Sequence, residues 1–207
     1  MTAGLAERLR LIVVTDPDCG GRDLVDVVRA ALRGGAPAIQ LRIKDADAGP
    51  MADAARALLA ETRRAGALLF INDRVDVALA VGADGAHVGQ SDLAAADVRR
   101  IAPPGFLLGV SAESEALALA AQADGADYVG VGPVYATGSK ADAGPPVGLE
   151  RIASISAALR IPVVGIGGIA AGNAAPVIRA GAAGVAVISA VMRAADPEAA
   201  TRALLRD

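Results

Sequence analysis

The sequence predicts a single (β/α)8 barrel spanning residues 1–207. Eight short apolar runs alternate with eight Ala-rich amphipathic runs, the order expected of repeated strand–helix units. The strand runs are continuously apolar, as in a parallel sheet covered on both faces. The polar residues that follow them fall at one common end, where a barrel carries its chemistry. At 207 residues this is a barrel at the small end of its size range, and a doubly wound open sheet is the other way to assemble the same units.

The first strand is LIVVT (11–15), followed by DPDCGG (16–21) and a helix near 22–33. AIQLR (38–42) is the second strand, and a helix over 51–65 follows it. Met51, Ala55, Leu58, Leu59 and Thr62 share one side of that helix, at i, i+4, i+7 and i+8 spacing. Asp53, Arg56, Arg63 and Arg64 fall elsewhere, Pro50 marks the start and Gly66 the stop. LLFIN (68–72) and GAHVG (85–89) precede helices near 74–81 and 92–102. LLGVS (107–111) and YVGVG (128–132) precede helices near 114–124 and 148–159. PVVGIG (162–167) and VAVIS (185–189) precede helices near 171–180 and 197–205.

Apolar residues make up 54% of the chain and aromatics only 2%, so the core must be built from Ala, Val, Leu and Ile. A net charge of −3 provides no basic field for a nucleic-acid backbone. Cys19 is the only cysteine, which rules out an intrachain disulfide and a thiolate zinc site. The apolar runs are broken by charge short of a membrane span, and MTAGLAERLRLIVVTD lacks the apolar stretch of a signal peptide. A cytoplasmic location and phosphorylated small-molecule partners are expected, with no nucleic acid and no membrane. A homo-oligomer is allowed for.

The richest segment is IQLRIKD (39–45), in which Gln40, Arg42 and Lys44 alternate with Ile39, Leu41 and Ile43. Strand periodicity puts the amide and both cations on one face, suited to a phosphate or diphosphate. A half-exposed edge strand gives the same pattern. Asn72 and Asp73 follow the third strand, Gln90 and Asp92 the fourth, and Ser111 ends the fifth. Asp73 and Asp92 could each be a helix N-cap. As a pair on neighbouring strands they could instead share one Mg²⁺, which takes one or two carboxylates plus phosphate oxygens. GPVYATGSKAD (132–142) supplies Thr137, Ser139 and Lys140, either as a substrate-covering loop or as a plain surface loop. GIGGIAAGN (165–173), with Gly167 and Gly168, lets backbone N–H groups approach an anion beside Ser189, or simply makes a tight turn. Two anion sites result: a Mg²⁺-assisted one across strands 2, 3, 4 and 6, and a monophosphate one across strands 7 and 8. His87 reads as a core histidine, and Cys19 as incidental rather than a nucleophile.

These segments resemble thiamine-phosphate synthases. The match runs through QLRIKD (40–45), INDRVDVALAVGADGAHVGQSD (71–92), GVSAES (109–114), GADYVGVGPVYATGSK (125–140), PPVGLE (145–150), PVVGIGGI (162–169) and GVAVISAV (184–191). It covers about residues 11 to 192, and the run from 71 to 92 is highly specific. The resemblance implies a transferase of thiamine biosynthesis that joins a hydroxymethylpyrimidine pyrophosphate to a thiazole bearing a phosphoethyl group. The products are thiamine phosphate and pyrophosphate.

By the same resemblance Gln40 contacts the pyrimidine, and Arg42, Lys44, Asn72 and Lys140 hold the pyrophosphate. Asp73 and Asp92 are the implied Mg²⁺ ligands, and Ser111 contacts pyrophosphate or pyrimidine. Thr137, Ser139, Gly168 and Ser189 match thiazole-phosphate positions, with Val187 and Ile188 joining the substrate-binding set. Arg42, Lys44, Lys140 and Ser111 carry the implied catalysis. Ser139 stands where the family often has Thr, and Glu113 where it often has His. Two rivals remain at this point. A thiazole tautomerase of the same family needs a proton-transfer residue, and a non-catalytic phosphate-binding barrel needs no Mg²⁺ site.

Overall fold

Each strand pairs in parallel with the next, and the eighth closes on the first. The strands are β1 (Leu11–Val14), β2 (Ala38–Leu41), β3 (Leu68–Asn72), β4 (Gly85–Val88), β5 (Leu107–Ser111), β6 (Tyr128–Val131), β7 (Val163–Ile166) and β8 (Gly184–Val187). β8 runs beside β1, with Leu11 opposite Val185 and Val13 opposite Val187. That pairing closes the barrel in sequence order and excludes the open sheet. The computed structural model describes residues 2–44, 46–139 and 144–206.

Strand alternation divides the apolar residues into two sets. Val13, Ile39, Ile71, Val110 and Val129 face outward and pack with helix residues such as Val28, Leu58, Val98 and Ile152. Ile12, Val14, Ala38, Leu68, Phe70, Tyr128, Val164 and Ala186 point inward and fill the barrel. Few aromatics are present, but two of them meet here. Phe70 and Tyr128 pack edge-on, with ring centroids 5.4 Å apart at 70°.

The helices are α1 (Thr2–Arg8), α2 (Leu24–Arg33), α3 (Ala48–Ala65), α4 (Val75–Val81), α5 (Ala95–Ile101), α6 (Glu115–Ala123), α7 (Gly148–Ala158), α8 (Ala174–Arg179), α9 (Ser189–Met192) and α10 (Pro197–Leu205). Local chemistry sets several of the starts. The Asp23 carboxylate accepts the N–H groups of Val25 and Asp26 at 2.9 and 3.2 Å, and Asp196 accepts that of Ala199 at 3.0 Å. α3 buries the five residues its periodicity predicts, and ends on Gly66 in the left-handed region at φ 68°.

Two helices are absent from the sequence expectation. α1 leads Leu9 into the inner cluster, with Leu5 packed against it, so the N-terminal end of the barrel is plugged. Gly184 permits this, since a Cβ there would overlap the Leu9 carbonyl. α9 is a single turn that begins at Ser189, so this serine opens a helix rather than ending a strand. Among the described residues no helix is long and apolar enough to cross a membrane.

Candidate active site at the C-terminal mouth of the barrel

A cavity of about 880 Å³ opens where the strands end. That size suits one or two small ligands. Arg42, Lys44, Asn72, Asp73, Gln90, Asp92 and Ser111 line it from the β2–β5 side. Thr137, Ser139, Gly168, Val187, Ile188 and Ser189 line it from the β6–β8 side. Of the sequence-predicted site residues that the structure describes, Gln40 alone is not part of this lining. Lys140 lies outside the described residues. Gln40 is 5% exposed and sits one layer deeper, in a small adjoining pocket that shares His87 and Ser111 with the main cavity.

Backbone geometry aims the polar side. The buried Thr15 hydroxyl accepts the Arg42 N–H at 2.9 Å and donates to the Arg42 carbonyl at 3.1 Å. The chain is thereby pinned where Arg42 leaves β2. Asp73 has φ 62°, a conformation that Asp tolerates better than most residues. Its N–H donates to the His87 carbonyl at 2.8 Å, so the turn after β3 is locked to β4.

The two N-cap readings do not hold. Arg74, not Asp73, occupies the N-cap of α4, and α5 starts at Ala95 behind Ala94. Asp92 instead accepts the Gly89 N–H at 2.7 Å, fixing its carboxylate against the turn that leaves β4. Among the described residues no group of three or more His, Cys, Asp or Glu could hold a metal alone. Two carboxylates on one cavity wall are nevertheless a suitable donor set for Mg²⁺ that arrives with a diphosphate, because phosphate oxygens and water complete its shell.

The opposite side is built by two loops zipped together. The Val134 N–H donates to the Ile166 carbonyl at 2.8 Å, and that of Tyr135 to the Gly167 carbonyl at 3.1 Å. Gly167 and Gly168 have φ 97° and 66°, and a Cβ on Gly168 would stand 2.6 Å from the Ala136 carbonyl oxygen. Conformation and space both require glycine there. Ser139 Oγ and Ser189 Oγ lie 3.2 Å apart at the rim, and Thr137 Oγ1 accepts the Ser139 N–H at 3.2 Å.

Thr15 and Arg193 add to the site without having been singled out for it. Thr15 pins Arg42, as above. Arg193 lines the cavity and pairs with Asp16 at 3.2 Å and Asp18 at 3.1 Å. Its neighbours Met192 and Ala194 accept from Arg22 at 2.9 and 2.8 Å, so DPDCGG and the arginine that follows it brace this corner. Cys19 in that loop is buried, and its thiol contacts the Asp16 carbonyl at 3.0 Å. Burial pushes its pKa up, which suits packing rather than nucleophilic attack.

His87 is half-buried at the cavity floor rather than sealed in the core. Its Nδ1 lies 3.0 Å from Tyr128 Oη and its Nε2 3.0 Å from Ser111 Oγ. Tyr128 is 1% exposed, and burial pushes its phenol pKa up, opposed by a hydrogen bond with Gln40. Period two along YVGVG could have placed Tyr128 inside. Nothing in the sequence points to Arg193.

A sequence model of the family "Thiamine monophosphate synthase" matches residues 11–191. Thiamine-phosphate synthase of Roseiflexus castenholzii is 58% identical over 193 residues, 93% of this chain and 85% of that protein. That of Moorella thermoacetica is 54% identical over 193 residues, 93% of this chain and 92% of that protein. The solved thiamine phosphate pyrophosphorylase of Pyrococcus furiosus superposes with a TM-score of 0.90 at 44% identity, covering 98% of this chain and 96% of that one. The match takes in every strand and both sides of the cavity, and the chain belongs to the thiamine monophosphate synthase family.

Proposed function

We propose that this barrel joins 4-amino-5-hydroxymethyl-2-methylpyrimidine pyrophosphate to 4-methyl-5-(2-phosphoethyl)thiazole, releasing thiamine phosphate and pyrophosphate. One observation carries the reading: a single cavity has two cations and two carboxylates on one side, and glycine backbone with clustered hydroxyls on the other. The first side suits a metal-bound diphosphate and the second a monophosphate. The family supplies the reaction that uses both.

In the reaction the C–O bond between the pyrimidine methylene and the diphosphate breaks. The ring's amino group donates electrons into the developing cation. Arg42 and Lys44 face the departing diphosphate and neutralise charge as it grows, with Asn72 as a neutral donor. Lys140 is the third proposed cation. Asp73 and Asp92 would hold Mg²⁺, which supplies Lewis-acid stabilisation of the leaving group. Thr137, Ser139, Gly168, Val187, Ile188 and Ser189 hold the thiazole phosphate so that the ring nitrogen attacks the methylene carbon and forms the new C–N bond. That nitrogen is a neutral nucleophile, and no general base is needed. The place of work is the cytoplasm, since highly charged phosphate esters do not cross a bilayer unaided.

A thiazole tautomerase must move a proton on and off carbon. Glu113, at the rim, is the residue here in place of the family's frequent His. Little turnover is therefore expected with the carboxylated thiazole tautomer alone. Supplying each synthase substrate alone and then both together, and following pyrophosphate release, tests the proposal. Release that requires both substrates and a divalent metal supports it. Release from the pyrimidine alone at the same rate, or rapid Glu113-dependent tautomerisation with no coupling, overturns it.

A further inference from the structure

We propose that Asn173 is a positioning residue for the monophosphate: its side-chain amide holds the backbone of residues 168–170 so that the Ile169 N–H faces the cavity and donates to the phosphate. The inference rests on the monophosphate reading of that side of the cavity and adds to it the residue that sets its shape.

Asn173 stands at the N-cap position of α8, where an Asn side chain ordinarily accepts the N–H of the second or third helical residue. Its side chain makes no such bond. The third helical residue is Pro176, which has no N–H to give. The amide turns back into the preceding loop instead. Its Oδ1 accepts the Ala170 N–H at 2.8 Å, and its Nδ2 donates to the Gly168 carbonyl at 3.0 Å. One side chain thus takes the backbone on both sides of Ile169, as a neighbouring strand would. Tyr135, from the loop after β6, fastens the same turn. Its N–H donates to the Gly167 carbonyl at 3.1 Å and its hydroxyl to the Asn173 carbonyl at 3.2 Å.

These bonds decide where the intervening N–H points. Gly168, Ile169 and Ala170 line the cavity, and Asn173 is not part of that lining. A trans peptide is planar, with its C=O and N–H on opposite sides. The Gly168 carbonyl is turned to Asn173, so the N–H of the same peptide, carried by Ile169, points away from Asn173. Among the described residues no protein group accepts the Gly168 or Ile169 N–H. A peptide N–H left open beside a cavity is a donor for an anion. The Ile169 side chain is buried, so backbone is what this residue offers to the cavity. Gly168, at φ 66°, has no Cβ to restrain the turn. The restraint comes from Asn173, and without it the Gly168–Ile169 peptide can rotate.

The test compares dissociation constants, measured by calorimetry, for the thiazole phosphate and for the same thiazole as its free alcohol. The alcohol lacks the phosphate and reports whether the rest of the pocket is intact. Asn173→Ala removes both side-chain bonds and adds no charge that could repel the ligand. It should weaken the thiazole phosphate about tenfold, on the order of one hydrogen bond to a charged group, and leave the alcohol within about twofold. Tyr135→Phe, which loosens Asn173 at one bond, should lower the phosphate-over-alcohol preference about two- to threefold. An unchanged preference in folded Asn173→Ala overturns the inference, as does an equal weakening of both ligands, which would leave Asn173 a structural role only. If Asn173→Ala fails to fold, Tyr135→Phe decides by the same ratio, and no change there overturns the inference. Unmodified protein that binds phosphate and alcohol alike would instead refute the monophosphate site itself. Unmodified protein that prefers the phosphate yet forms no thiamine phosphate would refute the coupling reaction alone.

Discussion

The two ends of the barrel are made by the same eight strands and finish in opposite chemistry. At the N-terminal end Leu9 enters the inner cluster, Leu5 packs on it, and Gly184 gives way to the incoming backbone. Asp84 and Asp127 there accept the N–H groups of Leu69 at 2.8 Å and Leu108 at 2.7 Å, and Arg99 pairs with Asp127. These groups all serve closure. At the C-terminal end the inward positions change to Asn72, His87 and Ser111, and the loops leave about 880 Å³ open. Stability resides at one end and chemistry at the other, and substitutions at the two ends should have separable effects.

The strongest separation should come from the carboxylates. Asp73→Asn and Asp92→Asn, which keep the left-handed backbone and the acceptor for the Gly89 N–H, should each lower turnover by roughly two orders of magnitude or more, with the melting temperature nearly unchanged. Steady-state kinetics beside thermal denaturation checks this. Variants that unfold yet are fully active per folded molecule would make these carboxylates structural. Chelation of divalent metal should abolish turnover in the unsubstituted protein, and added Mg²⁺ should restore it.

Lys140→Ala should lower kcat by about ten- to a hundredfold, while the dissociation constant for thiazole phosphate shifts far less. The reason is that leaving-group charge grows only in the transition state. Equal small losses in both quantities would make Lys140 a surface residue. The opposite end should show the converse. Leu9→Ala should cost about 2–4 kcal/mol of stability by leaving a cavity in the plug. Its KM values should not move, as denaturant titration and kinetics on the same sample would show. A large KM change would mean the two ends are coupled.

The smallest effect lies on the outer helices. Arg29 and Arg64 hold the Glu61 carboxylate at a pKa of about 2, below its ordinary 4.5. A folded pKa below the unfolded one stabilises above pH ~4.5, and that stabilisation disappears as pH falls toward 2. Glu61→Gln should slightly flatten the acid limb of the stability profile and leave neutral-pH turnover alone. An unchanged acid limb would show that the pairing contributes nothing measurable to stability, as is common for exposed ion pairs.

Much of the active end was legible because strand periodicity is simple. Period two in IQLRIKD puts Gln40, Arg42 and Lys44 on one face, and the structure places Gln40 inside and both cations at the mouth. The glycines of GIGG were legible because few other residues fit such a turn. Other features depend on neighbours far along the chain. α1 is short, with Leu5 as its one large apolar residue, and only the open barrel end gives Leu9 a place to go. Asp73 and Asp92 have the composition of caps, and only the turns after β3 and β4 show that they are not. Arg193 enters the cavity because Asp16 and Asp18, far away in sequence, hold it there. His87 read as core because its strand is apolar. Its Tyr128 and Ser111 partners come from two other strands, with Gly109 between the rings.

The most direct measurement is to incubate the purified protein with both substrates and Mg²⁺ and to identify the product by mass spectrometry. Coupling predicts thiamine phosphate and pyrophosphate in equal amounts, and none when either substrate or the metal is withheld. Folded protein that binds both substrates in the presence of Mg²⁺ but forms no thiamine phosphate would contradict it.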